Sequence, residues 1–144
     1  MLSSEYRIIS IENNSQSINL PDWFIDDYDK FKKEVKGKTS FGIGFNIEKK
    51  IISIEVTISY HINVNDSDLE LFSVKVNTGF LISNIDKYIR KGDDGNVIDN
   101  TLLSELTAVS MSHSRGIQSF LVSNTVLKNM LLPNKLPNFD SPDS

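Results

Sequence analysis

The sequence predicts an α+β fold in which a four-stranded antiparallel sheet is packed on one face by a long C-terminal helix. Two patterns carry that expectation. Three successive runs between Phe41 and Ser83 alternate apolar and polar residues, the signature of strands with one greasy and one wet face. Beyond residue 101 the apolar residues recur at helical spacing instead, which supplies an amphipathic cover for the greasy face.

From the N-terminus, Glu5-Tyr6-Arg7-Ile8-Ile9-Ser10-Ile11 is a β-branched run, so the first strand is placed at 5–19, weakening after the polar cluster Glu12-Asn13-Asn14-Ser15. Residues 20–38 fit neither period and read as a long crossover loop with room for one helical turn. Trp23, Phe24, Tyr28 and Phe31 stand there among acidic residues, followed by Lys32, Lys33 and Lys36. Strand 41–48 sets Phe41, Ile43, Phe45 and Ile47 on one face and Gly42, Gly44, Asn46 and Glu48 on the other. Strand 50–64 sets Ile52, Ile54, Val56, Ile58, Tyr60, Ile62 and Val64 opposite Ser53, Glu55, Thr57, Ser59, His61 and Asn63. Strand 69–83 repeats the pattern with Phe72, Val74, Val76, Phe80 and Ile82. The segments between these strands have hairpin length.

A surface loop at 91–99 precedes a helix at 101–132, with Thr101 as N-cap and Glu105 in the first turn, and Pro133 ends it before the tail 133–144. At 1.5 Å per residue this helix is about 45 Å long, against strands of typically around 20 Å. Phe120, Leu121, Val122, Val126, Leu127, Met130, Leu131 and Leu132 crowd its second half. One protomer is not expected to bury them all, which predicts a homo-oligomer.

Composition narrows the function. The 144 residues make a single domain, 1–144, and 39% hydrophobic with 24% charged residues is the balance of a globular chain rather than a disordered or membrane-embedded one. The absence of cysteine excludes disulfide frameworks, thiol catalysis, iron–sulfur clusters and cysteine zinc sites. A net charge of −4 offers no electrostatic footprint for nucleic acid. The start lacks a basic head followed by an apolar stretch, and no segment approaches a membrane span, so a cytoplasmic protein without membrane contact is expected. The sequons at Asn13 and Asn65 are then chance matches.

No constellation points to catalysis. Ser112-His113-Ser114 lies within a helix, where adjacent residues point apart, and not on a sharp strand-to-helix turn. His61 and His113 fall on different elements without a cysteine partner, so no metal site is expected. Gly92-Asp93-Asp94-Gly95-Asn96 lacks the spacing and closing Glu of a calcium loop and reads as surface loop. The crossover aromatics either pin the loop on the sheet or keep apolar surface accessible to a bound chain. Gly42 and Gly44 mark an edge or bulge, or let a client backbone approach. Gly116 costs a helix about 1 kcal/mol relative to Ala. With Ser110, Ser112 and Ser114 it suggests a small-residue surface where helices of two protomers cross, Arg115 pairing with a carboxylate at that interface.

A strand, an aromatic crossover, three alternating strands and a helix reading Ser112-His113-Ser114-Arg115-Gly116-Ile117 through Thr125 to Leu132-Pro133, then Pro137, resembles the export chaperone SecB and its SecB-like relatives, with their Greek-key-like sheet. The likeness spans roughly residues 5–139. It implies an ATP-independent holdase, without cofactor, that takes unfolded or nascent polypeptide clients into hydrophobic grooves and serves protein transport. It implies a homotetramer, a dimer of dimers, with Ser112, Arg115, Gly116 and Phe120 expected at the oligomer interface. The groove positions it implies are Phe41, Ile43 and Phe45 on the strand and Trp23, Phe24, Tyr28 and Phe31 on the crossover. The family's Cys-Pro and Phe-Pro-Tyr segment, second C-terminal helix and zinc-binding tail have no counterpart, so zinc-mediated docking to SecA is not expected. The chain resembles the divergent SecB-like proteins, some of which act for a single partner such as an antitoxin, and a dedicated adaptor or antitoxin chaperone is the alternative reading.

Overall fold

Alternation of apolar residues decides the sheet. In the computed structural model, which describes residues 5–93 and 95–130, β2 (Lys36–Asn46), β3 (Ile51–Val64) and β4 (Ser67–Ile82) form an antiparallel meander. β1 (Tyr6–Ile18) returns against β4, giving the order β1-β4-β3-β2. Three hairpin-linked strands with a fourth laid alongside by a long connection make a Greek key. The β3–β4 turn is held by Asn65 and Asp66, both at positive φ (52° and 63°), the backbone twist that a two-residue hairpin loop requires.

The greasy face is the core. Ile52, Ile54, Val56 and Ile58 of β3 and Val74, Val76 and Phe80 of β4 are fully buried beneath α3 (Asn100–Val122), which lies across these two central strands. Burial of each such side chain is worth about 1.5–3 kcal/mol. A register irregularity at Tyr60/His61 leaves Leu71 unpaired, and it turns inward beside Phe72, both fully buried. Ser110 and Ser114 are also fully buried, each hydroxyl donating to the carbonyl four residues back at 2.8 Å. These small residues let the helix approach its own sheet. They are therefore not free to form the expected contact between protomers.

Several expected boundaries move. The crossover contains two short helices, α1 (Asp22–Asp26) and α2 (Tyr28–Phe31), and β2 begins at Lys36 rather than 41. Part of the expected loop 91–99 is a hairpin of β5 (Ile89–Gly92) and β6 (Gly95–Ile98), anchored by the buried Tyr88 and Ile98. The N-cap is Asp99, whose carboxylate accepts from Leu102 N at 3.1 Å, so Thr101 lies inside the first turn and Glu105 past it.

The long helix stops at Val122, about 34 Å by the usual rise rather than about 45 Å. Hydroxyls end it: Ser123 donates to Phe120 O and Thr125 to Val122 O, each at 2.8 Å, while Thr125 Oγ1 accepts from Leu127 N at 3.1 Å. The chain then turns through a 3-10 segment, Val126–Asn129, that returns Leu127 to the core. Of the expected apolar excess, Val122 and Leu127 are buried within the protomer, Leu121, Val126 and Met130 are half-buried, and Phe120 stays exposed. Leu131, Leu132, the Pro133 exit and the tail 133–144 lie outside the described residues, as does Asp94.

Candidate functional site

α3 covers the centre of the sheet and leaves apolar residues open on both flanks. On one flank is the edge strand β2, whose register sets Phe41, Ile43 and Phe45 beside the fully buried Val56, Ile54 and Ile52 of β3. Facing residues of paired strands share a side, so this row continues the core outward. Nothing covers it among the described residues: Phe41 is half-buried, and Ile43 and Phe45 keep 42% and 39% of their surface exposed.

The crossover sits at the other end of the same face, where β3 ends. Trp23 and Phe31 meet edge to face at 5.1 Å and, with Ile62, Val64 and Glu34, line an apolar cleft of about 460 Å³. Trp23 is 38% exposed. Phe24 behaves differently from its neighbours. It is fully buried, stacked edge-on against Trp23 and Tyr28 at 6.2 and 5.7 Å, and anchors the crossover to the core instead of facing a bound chain. Tyr28 is half-buried behind it. Phe24 thus pins the crossover on the core, while Trp23 beside it keeps apolar surface exposed. Charges ring the cleft: Lys30 stands over the Phe31 ring at 5.3 Å, and Lys32 pairs with Asp29 at 3.3 Å.

Tyr60 ties the crossover side to the helix. Its hydroxyl accepts from Gln118 Nε2 at 3.1 Å and donates to Met130 O at 3.2 Å. Burial pushes its pKa up to about 12, against the opposing pull of the nearby Arg115 charge. Gln118 did not stand out in the sequence, because a single buried amide in a helix leaves no periodic signal. Arg115 has no ion-pair partner among the described residues.

The second flank lies between α3 and β1. Ser112, Gly116 and Phe120 recur every four residues along the outer side of α3, and Phe120 is 78% exposed. With Ile11, His113 and Ile117 they line an open apolar cleft of about 430 Å³. A Cβ added at Gly116 would meet nothing within 4 Å, so packing inside the protomer does not require glycine there.

The wet face carries a hydrogen-bonded row. His61 Nδ1 lies 2.8 Å from Asp68 Oδ2, and its Nε2 lies 2.7 Å from Ser59 Oγ. An ionised Asp68 only accepts, so Nδ1 donates to it. The row spans the β3–β4 irregularity on the side away from the apolar clefts. No helix among the described residues is long and apolar enough to cross a membrane, and no group of three or more His, Asp or Glu among them is placed to hold a metal ion.

The chain matches no known family and no curated protein sequence. Among solved structures it is similar to the SecB-like chaperone Rv1957 of Mycobacterium tuberculosis, in complex with a ChAD peptide from the Rv1956 HigA1 antitoxin. The TM-score is 0.53 at 10% identity, covering 98% of this chain and 95% of that one. A protein of unknown function from Streptococcus agalactiae matches at a TM-score of 0.39 and 12% identity, over 92% of this chain and 98% of that one. At that likeness, the fold of this chain, a Greek-key sheet with an intervening crossover and a covering C-terminal helix, is SecB-like.

Proposed function

We propose that the protein is a SecB-like chaperone without catalytic activity or cofactor, a nucleotide-independent holdase that binds unfolded or partly folded polypeptide. One observation carries the reading: Trp23, Ile43 and Phe45 each keep about two-fifths of their surface open on the face that elsewhere forms the core. A folded protomer gains nothing from exposing that surface, whereas an apolar segment laid on it gains burial. The groove runs from the Trp23–Phe31 cleft, with Tyr28 behind it, along β2 past Phe41, Ile43 and Phe45. Suppression of aggregation of a chemically unfolded test protein, without nucleotide, is the expected result. No suppression at an equimolar ratio of assembled chaperone removes the holdase reading.

The neighbouring chaperone was solved with an antitoxin peptide, and the cleft of about 460 Å³ here is the size of a pocket for a short segment. These favour a second reading, a dedicated chaperone for one partner. Purification from the native host separates the two: many heterogeneous clients support the general holdase, one stoichiometric partner the dedicated chaperone. For assembly we propose a cytoplasmic homotetramer, a dimer of dimers, joined through the α3 flank at Ser112, Arg115, Gly116 and Phe120. Light scattering at several concentrations tests it, and a stable monomer refutes it.

A further inference from the structure

A third cavity, between α3 and the 3-10 segment that follows it, differs from the two apolar clefts. It encloses about 270 Å³ and is lined by Arg115 of α3 and Lys128 of the 3-10 segment. No Asp or Glu stands among its described lining residues, and neither cation has an ion-pair partner among the described residues. Two like charges around one small space repel each other, and an anion placed between them replaces that repulsion with attraction.

The walls are tied together. The Tyr60 hydroxyl that accepts from Gln118 Nε2 and donates to Met130 O joins one wall to the other, since Gln118 and Met130 line the same cavity. Gln118 is only 6% exposed. This link holds the backbone that carries Lys128 against the helix that carries Arg115, so a ligand bridging the two orders little that is not already ordered. Burial raises the Tyr60 pKa and the charge of Arg115 opposes that rise, which sets the guanidinium within electrostatic reach of the link.

Donors are available there, and the opposing acceptors are occupied. Ser110, Ser112 and Ser114 give their hydroxyls to the carbonyl four residues back, whereas Ser119, in the cavity lining, makes no such bond among the described residues and is left to donate to a ligand. The carbonyls of Phe120 and Val122, at the end of α3 that disfavours an anion, are engaged by Ser123 and Thr125. Gly116 also lines the cavity, and a Cβ there would meet nothing within 4 Å, so the space beside Arg115 stays open.

We propose that this cavity binds a phosphate group, held by the Arg115 guanidinium and the Lys128 ammonium. The planar guanidinium offers paired N–H donors that match two phosphate oxygens, and the ammonium adds a point charge. At about 270 Å³ the space falls just below the range of pockets for drug-sized ligands, which suits inorganic phosphate or a compact phosphate monoester better than a nucleotide. The site is separate from the polypeptide groove, whose residues lie on the crossover and β2.

Calorimetric titration of the full-length protein with inorganic phosphate, at about pH 7.5 where a phosphate group carries nearly two charges, tests the site. Saturable binding is expected, with Arg115→Gln and Lys128→Gln each weakening Kd at least about fivefold. The Gln118 side-chain amide signal should move during the same titration followed by NMR. Lys128 is exposed, so its substitution tests the site without disturbing the core. Light scattering of every sample shows whether the Arg115 change also alters assembly, and weakening in Lys128→Gln at unchanged mass supports the site independently of that. A Kd for glycerol 2-phosphate within about twofold of that for inorganic phosphate assigns a monoester, and one at least about tenfold weaker assigns the free ion. Acetate binding as tightly as phosphate overturns the phosphate assignment. No saturable binding, or binding that both variants leave within about twofold of wild type, overturns the proposal, and neither result bears on the suppression of aggregation by the groove.

Discussion

Phe45→Ala is the sharpest perturbation of the proposed groove, because the structure sets both what it removes and what it spares. Phe45 keeps 39% of its surface exposed. For a Phe side chain of about 200 Å² that is roughly 80 Å² available to a bound segment. At about 25 cal/mol per Å² its full burial contributes about 2 kcal/mol, or about thirtyfold in Kd, an upper value because ordering of the segment offsets part of it. The side chain's remaining burial beside Ile52 is worth about 3 kcal/mol by the same area, within the stability of a domain of this size, so the variant stays folded. Titration of a labelled unfolded client, with sedimentation of the same samples, reads binding and assembly separately. The expected outcome is a five- to thirtyfold weaker Kd with the assembly mass unchanged. A Kd within about twofold of wild type refutes the placement of the client on β2, and loss of assembly shows that Phe45 belongs to a subunit contact.

Other changes test other parts of the molecule. Gly116→Ala places a Cβ where nothing lies within 4 Å in the protomer, so by helix propensity it stabilises the isolated chain by about 1 kcal/mol. If α3 packs closely on a neighbouring subunit there, the same change weakens assembly, and thermal melts with light scattering give the two signs independently. Asp99→Ala removes the carboxylate that accepts from Leu102 N and should cost about 1 kcal/mol in denaturant unfolding, while Asp99→Asn largely restores it. Tyr60 has a folded pKa raised from 10.0 to about 12, so the folded state holds its proton more tightly than the unfolded chain. Its contribution is complete below about pH 10 and falls as pH rises toward 12. Tyr60→Phe should flatten that alkaline decline in a urea-midpoint against pH series, and an unchanged slope refutes the assignment.

Much of the fold was legible because a half-covered sheet writes its burial into every second residue. The faces read for β3 and β4 match the buried residues from Ile52 to Ile62 and from Phe72 to Ile82. The end of α3 was not legible, since apolar spacing continues past Val122 and only the hydroxyls of Ser123 and Thr125, whose bonds depend on local geometry, stop it. The same limit applies to the crossover. Trp23 and Phe24 are adjacent aromatics with the same composition around them, yet one is 38% exposed and the other fully buried.

The sequence by itself determined the class of the protein: period-2 runs specify strands with one wet face, a 3.6-period run specifies their cover, and the absence of cysteine removes thiol and cysteine-metal chemistry. Those are properties of neighbours along the chain, which local spacing records. Only the tertiary structure decided which apolar residues stay open. α3 sits over β3 and β4, β2 is left at an unbroken edge, and Ser110 and Ser114, two of the serines read as a contact between protomers, are buried within their own protomer. Exposure depends on what is laid over a residue from elsewhere in the chain, and no period in the sequence encodes that.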